Sequence, residues 1–311
     1  MTQSGKTTGN PKLRDEEQVK KSYALYFRKF FEAYEEKGVN FWGVTAQNEP
    51  RGNTGTWQDL VFSAQEQADF VKSYMGPQLR DYDSELKIMT FDDQRASLPA
   101  WADTVMGDES SAQYFDGIAV HWYTSVEDRI VDVTRPFHKM QETHDKYPQK
   151  FILATEACTG YLPWDNKPNI GDMRRGEVYG YDILNDLRSW AIGWTDWNLV
   201  LDKEGGPNWA NNFVDAPIIL EDEDKFYLQP MFFYLGHFSK FLPKGSVRIG
   251  DEVNGNLGPQ SVAFKTPDGL IVTIVQNYSI FEHTYRIVYG DKQVQETMEP
   301  HSIHTVIFKA E

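Results

Sequence analysis

The sequence predicts an α/β fold in which a parallel sheet of βα units precedes a smaller antiparallel β module. Three observations support this. Five apolar runs between Phe41 and Leu199, each bounded by polar or turn residues, alternate with stretches of helical periodicity, the pattern of parallel strands joined by helices. After Pro243-Lys-Gly245 the helical spacing stops, and short runs of β-branched and aromatic residues follow one another closely. A length of 311 residues with 40% hydrophobic content can fill a large core in one or two domains. A boundary at Pro243-Lys-Gly245 gives a βα portion over 1–244 and a β portion over 245–311.

From the N-terminus, Glu16 to Gly38 carries Val19, Tyr23, Tyr26, Phe27, Phe30, Phe31 and Tyr34 at helical spacings, and Gly38 is a natural stop. The first strand, Phe41 to Thr45, follows. Ser63-Ala-Gln-Glu66 has the form of a capping box and predicts a helix through Tyr74. Further strands are expected at Leu86 to Phe91, Gly117 to Trp122, Phe151 to Thr155 and Gly193 to Leu199. Helices at Thr134 to Tyr147 and Val178 to Trp190 fill the later gaps. In the β portion, strands are expected at Val262 to Thr266, Leu270 to Gln276, Tyr285 to Tyr289 and His304 to Phe308, with Pro267-Asp-Gly269 turning the first into the second.

Composition narrows the function classes. With 46 acidic against 31 basic residues the net charge is -15, and no Lys/Arg cluster is present to track phosphates, which argues against a nucleic-acid partner. Aromatic content of 14% supplies flat faces for stacking on sugars as well as for a core. The single cysteine, Cys158, excludes an intrachain disulfide and a zinc site built on several thiolates. The seven histidines lack HExxH spacing, and neither a Gly-x-Gly-x-x-Gly after a strand nor a Walker sequence occurs, so no metal and no nucleotide cofactor is expected. No run approaches the ~20 apolar residues of a membrane span. The polar stretch Met1 to Pro11 lacks the apolar core of a signal peptide, and Asn277-Tyr-Ser279 is a glycosylation sequon.

Two glutamates stand where apolar strands run out. Glu49 closes Phe41-Trp-Gly-Val-Thr-Ala-Gln-Asn-Glu, where Pro50 ends the strand; Glu156 follows Phe151-Ile-Leu-Ala-Thr, where a charge is costly unless it faces a polar site. Carboxylates at the C-terminal ends of parallel strands face the loops that hold substrate; on a barrel, strands three βα steps apart face each other across the mouth, so two such groups can reach the ~5 to 5.5 Å separation of a retaining glycosidase pair, an inverting pair sitting wider. His121-Trp-Tyr123 ends the third strand, and Thr195-Asp-Trp-Asn198 is placed on the fifth, so both reach the same rim. A satisfied structural histidine is the alternative for His121, and core packing the alternative for Tyr123 and Trp197. In Asp92-Asp-Gln-Arg95, Arg95 either fixes a carboxylate or tyrosine or makes a simple ion pair. Cys158, two residues past Glu156, has no base beside it in sequence and is taken as a small packing residue.

Together these segments resemble the lysosomal acid glucosylceramidase (β-glucocerebrosidase) family. The resemblance runs through Ala46-Gln-Asn-Glu-Pro50, Asp92-Asp-Gln-Arg95, Gly117-Ile-Ala-Val-His-Trp-Tyr123, Thr155-Glu-Ala-Cys158, Gly193-Trp-Thr-Asp-Trp-Asn-Leu199 and Glu204-Gly-Gly-Pro-Asn-Trp209. It continues through Asn212-Phe-Val-Asp215, Gln229-Pro-Met-Phe232 and Leu235-Gly-His-Phe-Ser-Lys-Phe241, covering nearly the whole chain from about Tyr23. It implies a (β/α)8 TIM barrel, N-terminally truncated so that strands 4 to 8 are visible, with a C-terminal antiparallel β-sandwich module.

The resemblance also implies roles. Glu49 matches the acid/base and Glu156 the nucleophile of a retaining hydrolysis that cleaves glucosylceramide to glucose and ceramide in sphingolipid catabolism. Asn48 matches the residue on the sugar 2-hydroxyl, and Trp197 and Asn212 match further glucose contacts. Tyr123, Trp122 and His121 surround the substrate, supported by Arg95 and Asp92. Burial and the charge of Glu156 are expected to keep Glu49 protonated, while Arg95 or Tyr123 keeps Glu156 ionised, giving an acidic optimum. A lysosomal location, glucosylceramide presented in a membrane, anionic phospholipid and a saposin-type activator follow from the same resemblance, with loops near Trp57 and Trp164 meeting the bilayer. It implies no cofactor and leaves a homo-oligomer open. The competing expectation is an impaired fragment of such an enzyme that acts only as a binding module.

Overall fold

A computed structural model of the chain describes residues 1–53, 55–123, 136–250 and 258–309. Five strands, β1 (Gly43–Thr45), β2 (Lys87–Gln94), β3 (Gly117–His121), β4 (Phe151–Glu156) and β5 (Ala191–Trp194), form one parallel sheet in sequence order. These are the five expected strands. β3 is buried along its whole length, as a strand covered on both faces must be. Close packing sets its first residue: a Cβ on Gly117 would lie 2.3 Å from the ring of Phe151, its register partner on β4.

Helices join the strands: α1 (Glu17–Glu35), α2 (Ala64–Phe70), α3 (Gly76–Tyr82), α4 (Ala100–Met106), α5 (Glu109–Ala112), α6 (Phe137–Lys146) and α7 (Met173–Arg188). Both halves of the Ser63–Glu66 capping box form, and a π-helical segment, Val71–Met75, carries the helix from α2 into α3. The helix therefore runs to Tyr82 rather than Tyr74. Of the helix expected from Thr134, residues 134 and 135 lie outside the described residues.

Packing divides the chain into two compact units, Met1–Ala157 with Ser189–Thr195, and Cys158–Arg188 with Asp196–Glu311. The first contains the parallel sheet and helices α1 to α6. The second contains α7, a small sheet of β6 (Val200–Asp202), β7 (Ile218–Leu220) and β8 (Phe226–Leu228), helix α8 (Pro230–Ser239) and the antiparallel module. The expected strand Gly193 to Leu199 ends at Trp194, so Asp196, Trp197 and Asn198 follow the strand instead of lying on it. The three strands of the small sheet are each three residues long, too short for an alternation to register in sequence.

In the antiparallel module, β9 (Val247–Ile249), β10 (Gln260–Lys265), β11 (Leu270–Asn277) and β14 (Ser302–Lys309) form a sheet ordered β14-β11-β10-β9, while β12 (His283–Tyr289) and β13 (Lys292–Met298) form a two-stranded sheet among the described residues. The expected hairpin is present: Gly269 takes a φ of +83°, open to glycine, and the Thr266 amide donates to the Leu270 carbonyl at 2.9 Å. β13 escaped sequence reading because it is a mostly exposed ribbon of polar residues. Helix α7 meets the module closely, since a Cβ on Gly180 would lie 2.3 Å from Oε1 of Gln276 on β11.

The sequon asparagine is not a surface residue. Asn277 is 1% exposed; its Nδ2 donates to the carbonyls of Phe281 and Glu299, both at 2.9 Å, and its Oδ1 accepts from the Ser279 amide. In this conformation the amide nitrogen has no room for a glycan. Among the described residues, no helix is long and apolar enough to cross a membrane.

Candidate active site

The site is built at the C-terminal ends of β1 to β4, within the first unit. Three strand spacings separate β1 from β4, ~14 Å in a flat sheet. Local backbone geometry closes that distance. Glu49 lies past the end of β1 at a φ of +43°, and its amide donates to the Asp92 carbonyl at 2.9 Å, so the segment folds across the end of β2. Phe91 and Asp92 are also left-handed, at φ +76° and +68°, where the β2–β3 register shifts. Such a bulge turns a side chain to a new face, and here it aims Asp92 at the neighbouring strand.

Asp92 ties four strands together. Its Oδ1 accepts from Thr155 Oγ1 on β4 at 2.6 Å and faces Nε2 of His121 on β3 at 3.1 Å; its Oδ2 accepts from Thr45 Oγ1 on β1 at 2.6 Å. Burial alone would raise this carboxyl, but the hydrogen bond and charge of His121, with the two threonine hydroxyls, outweigh it and hold Asp92 below its ordinary value. His121 is 1% exposed, and its other nitrogen, Nδ1, lies 3.3 Å from Oε1 of Glu49. Nε2 is also 3.8 Å from Oε2 of Glu156. Burial disfavours the charged ring, yet hydrogen bonds to Asp92 and Glu49 and the charges of Asp92 and Glu156 raise His121 well above its ordinary value. Only the imidazolium can donate from both nitrogens, so a buried cation stands among three carboxyl groups.

One ring nitrogen of His121 and one carboxylate oxygen each of Glu49 and Glu156 lie within 4.8 Å of one another. The Glu49 and Glu156 side chains are 17% and 20% exposed, so both carboxyls are partly open while His121 behind them is closed. Burial pushes Glu156 up to about 7; the charges of Glu49 and Asp92 add to this, against the charge of His121 and a hydrogen bond from Tyr123. The expectation that Tyr123 would keep Glu156 ionised is thus met only in direction. Glu156 therefore holds a proton below about pH 7.

Of the remaining expected site residues, Asn48 is exposed immediately before Glu49, and Tyr123 is half-buried. Trp122 is 5% exposed and packs edge-on against Trp194, so it faces protein groups. Arg95 is buried, with its guanidinium over the Phe137 ring at 4.7 Å. Trp197 and Asn212 belong to the second unit: Trp197 is 39% exposed, and the Asn212 amide is held by Asn208 Oδ1 at 3.1 Å. Cys158 is buried, as a packing residue should be.

Three contributors escaped sequence reasoning. Thr45 and Thr155 each close an apolar strand just ahead of a glutamate, a position that invites a hydroxyl contact in retrospect. Gln94, whose Nε2 donates to Glu49 Oε1 at 3.2 Å, carries no such signal.

Comparison with known proteins places this arrangement. Residues 1–242 match the glycosyl hydrolase family 30 TIM-barrel domain and residues 245–306 the beta sandwich domain of the same family. The chain is 42% identical over 321 aligned residues to putative glucosylceramidase 3 of Caenorhabditis elegans, covering 99% of this chain and 59% of the relative. It is 41% identical to the lysosomal acid glucosylceramidase of Mus musculus, covering 93% of this chain and 56% of that protein. The chain therefore spans somewhat over half the length of these relatives. Among solved structures, SrfJ from Salmonella typhimurium covers the whole chain at a TM-score of 0.90 and 27% identity, with 66% of that protein covered.

Proposed function

Since the chain belongs to glycosyl hydrolase family 30 and is a glycosidase by that membership, we propose that it is a retaining β-glucosidase acting on glucosylceramide, with Glu156 as nucleophile and Glu49 as acid/base. The observation that supports this best is the closeness of the two carboxyls, one oxygen of each lying within 4.8 Å of the other. Retaining enzymes hold their carboxyl groups about 5 to 5.5 Å apart, whereas an inverting pair needs about 6.5 to 9.5 Å to admit a water. The names of the worm and mouse relatives support the choice of substrate.

In this reading one proton serves the pair. Glu156 attacks the anomeric carbon as a carboxylate while Glu49 delivers a proton to the departing ceramide oxygen; Glu49 then takes a proton from water as glucose is released from Glu156. The proton that burial holds on Glu156 must therefore sit on Glu49 when the sugar is in place. The carboxyls are close enough to exchange it, and His121, 3.3 Å from one and 3.8 Å from the other, balances whichever is ionised. Tyr123 donates to Glu156 and Gln94 to Glu49, which orients both groups. Asn48, Trp197 and Asn212 are the proposed glucose contacts.

Glucosylceramide in a membrane, an anionic phospholipid surface, a saposin-type activator and a lysosomal location complete the proposal, and the exposed Trp164 supports a lipid encounter. The test is a mechanism-based epoxide probe on the purified chain, followed by peptide mapping. Labelling of Glu156 is expected; labelling elsewhere sinks the nucleophile assignment, and a chain that neither reacts nor hydrolyses an aryl β-glucoside acts only as a binding module.

A further inference from the structure

Glu49 has two carboxyl oxygens, and the fold treats them differently. Two donors converge on Oε1, Gln94 Nε2 at 3.2 Å and His121 Nδ1 at 3.3 Å. An oxygen that accepts two hydrogen bonds leaves no room for a proton of its own, so the proton of the acid form sits on Oε2. The backbone holds Gln94 against Glu49. The Glu49 amide donates to the Asp92 carbonyl at 2.9 Å, and the buried Asp93 carboxyl accepts the Arg51 amide at 3.2 Å through Oδ2 and the Gln94 amide at 2.7 Å through Oδ1. Segments 49–51 and 92–94 are thus tied together at two points, all within the first unit.

We propose that Gln94 is a positioning residue for proton transfer, which with His121 reserves Glu49 Oε1 as an acceptor and leaves Oε2 to carry the proton to the leaving group. This rests on the reading above in which Glu49 is the acid/base. Gln94 holds the position at a cost, since its own Oε1 is buried with no hydrogen-bond partner among the described residues. Turning the amide over would set that oxygen against Glu49 Oε1, acceptor against acceptor, so the contact with Glu49 fixes its orientation. A buried oxygen without a partner is a cost that packing alone does not require. In the first step the Oε2 proton passes to the glycosidic oxygen as its bond to the anomeric carbon breaks and the bond to Glu156 forms. The charge left on Glu49 is shared by both oxygens, so the two bonds to Oε1 strengthen as the proton departs. In the second step water gives its proton to Oε2 and its oxygen to the anomeric carbon, releasing Glu156 and restoring the acid.

The test compares Gln94→Met, which keeps the length of the side chain and removes its donor, with the parent chain on a phenyl and a dinitrophenyl β-glucoside. For the phenyl substrate, whose departure needs the proton, kcat/KM should fall about tenfold, close to the worth of one hydrogen bond to a charged group. For the dinitrophenyl substrate, whose leaving group needs no acid, it should fall less than about threefold. A residue that only shapes the site lowers both alike, so equal losses, or no loss on either substrate, overturn the proposal. Gln94→Glu, of the parent shape with an acceptor in place of the donor, should show the same selective loss at pH 7, and decides by the same criterion if the methionine variant does not fold. Glu49→Gln on the same two substrates separates the role of Gln94 from the assignment it rests on. A selective loss in Glu49→Gln beside equal losses in Gln94→Met overturns the role of Gln94 alone. A parent chain that cleaves neither substrate, or equal losses in Glu49→Gln, overturns both.

Discussion

His121 Nε2 lies 3.1 Å from Asp92 Oδ1 in a place where neither group reaches bulk water, and the Nδ1 of the same ring faces Glu49 at 3.3 Å. Asp92 thereby fixes a cation behind the carboxyls of Glu49 and Glu156. The threonines on β1 and β4 add a hydrogen bond to each of its oxygens, so both oxygens have protein partners. The partly open glutamates then work against a rigid, charged background.

Removing that cation should be costly twice over. His121→Ala leaves Asp92 buried without its charged partner, a loss of about 3 to 5 kcal/mol in stability. His121→Asn, which can still donate one hydrogen bond, should fold better yet lose about 10²-fold or more in kcat/KM on an aryl β-glucoside. Melting curves and initial rates on the two variants check this; wild-type kcat/KM in His121→Asn rules out the electrostatic role.

Activity should fall on the alkaline side. Glu156 is raised from 4.5 to about 7, so between those values the folded chain carries a proton that the unfolded chain has lost. Raising pH through about 7 removes the last proton the pair can share, and kcat/KM should drop tenfold per pH unit beyond it. His121 acts in the same direction on stability: its folded value is raised, so the contribution is complete below the ordinary 6.5 and is lost as pH climbs through the raised value. Rates and melting points measured from pH 4 to 9 should both decline toward alkali. A flat kcat/KM profile between pH 6 and 8 refutes the shared proton.

Glu49→Gln keeps the shape of the side chain and removes its proton transfer. Loss should be about 10² to 10⁴-fold for a substrate with a poor leaving group, and far smaller for a dinitrophenyl glucoside whose leaving group needs no acid. Equal losses on both substrates exclude the acid role.

Asn277 should remain unmodified when the chain is expressed through a secretory route, because its amide is enclosed by the carbonyls of Phe281 and Glu299. Peptide mass spectrometry after deglycosylation in heavy water reads this directly. Asn277→Ala should cost about 1 to 3 kcal/mol by orphaning those carbonyls.

Gly117→Ala tests the packing behind the site. The added methyl carbon meets the Phe151 ring at 2.3 Å, so β3 and β4 must part, at a cost of about 1 to 3 kcal/mol. A melting point equal to that of the parent shows that the strands yield more easily than this contact suggests.

Much of this was legible in the residues themselves. Alternating βα periodicity, the five apolar runs and the Pro267-Asp-Gly269 turn follow from local rules; the hairpin and the first four strands lie close to where those rules put them, while the fifth is Ala191–Trp194 and ends five residues before the expected Leu199. So did the paired glutamates, because a charge at the end of an apolar strand is unusual whatever surrounds it. Local rules did not extend to β13, whose exposed polar ribbon has no apolar face, or to the length of the helix beyond Tyr74, where a π-helical segment continues what looked like an end.

What the tertiary structure decided is how the glutamates meet and which groups lie between them. Left-handed backbone at Glu49, Phe91 and Asp92 is visible to no propensity scale, since each residue prefers another conformation in isolation. Thr45, Thr155 and Gln94 acquire their roles only when the strands lie side by side. The protonation of Glu156 is likewise set by burial and by neighbours distant in sequence. Sequence alone identified the chemical groups because their type and spacing are local properties. Their separation, charge and enclosure are properties of contacts that exist only in the folded chain.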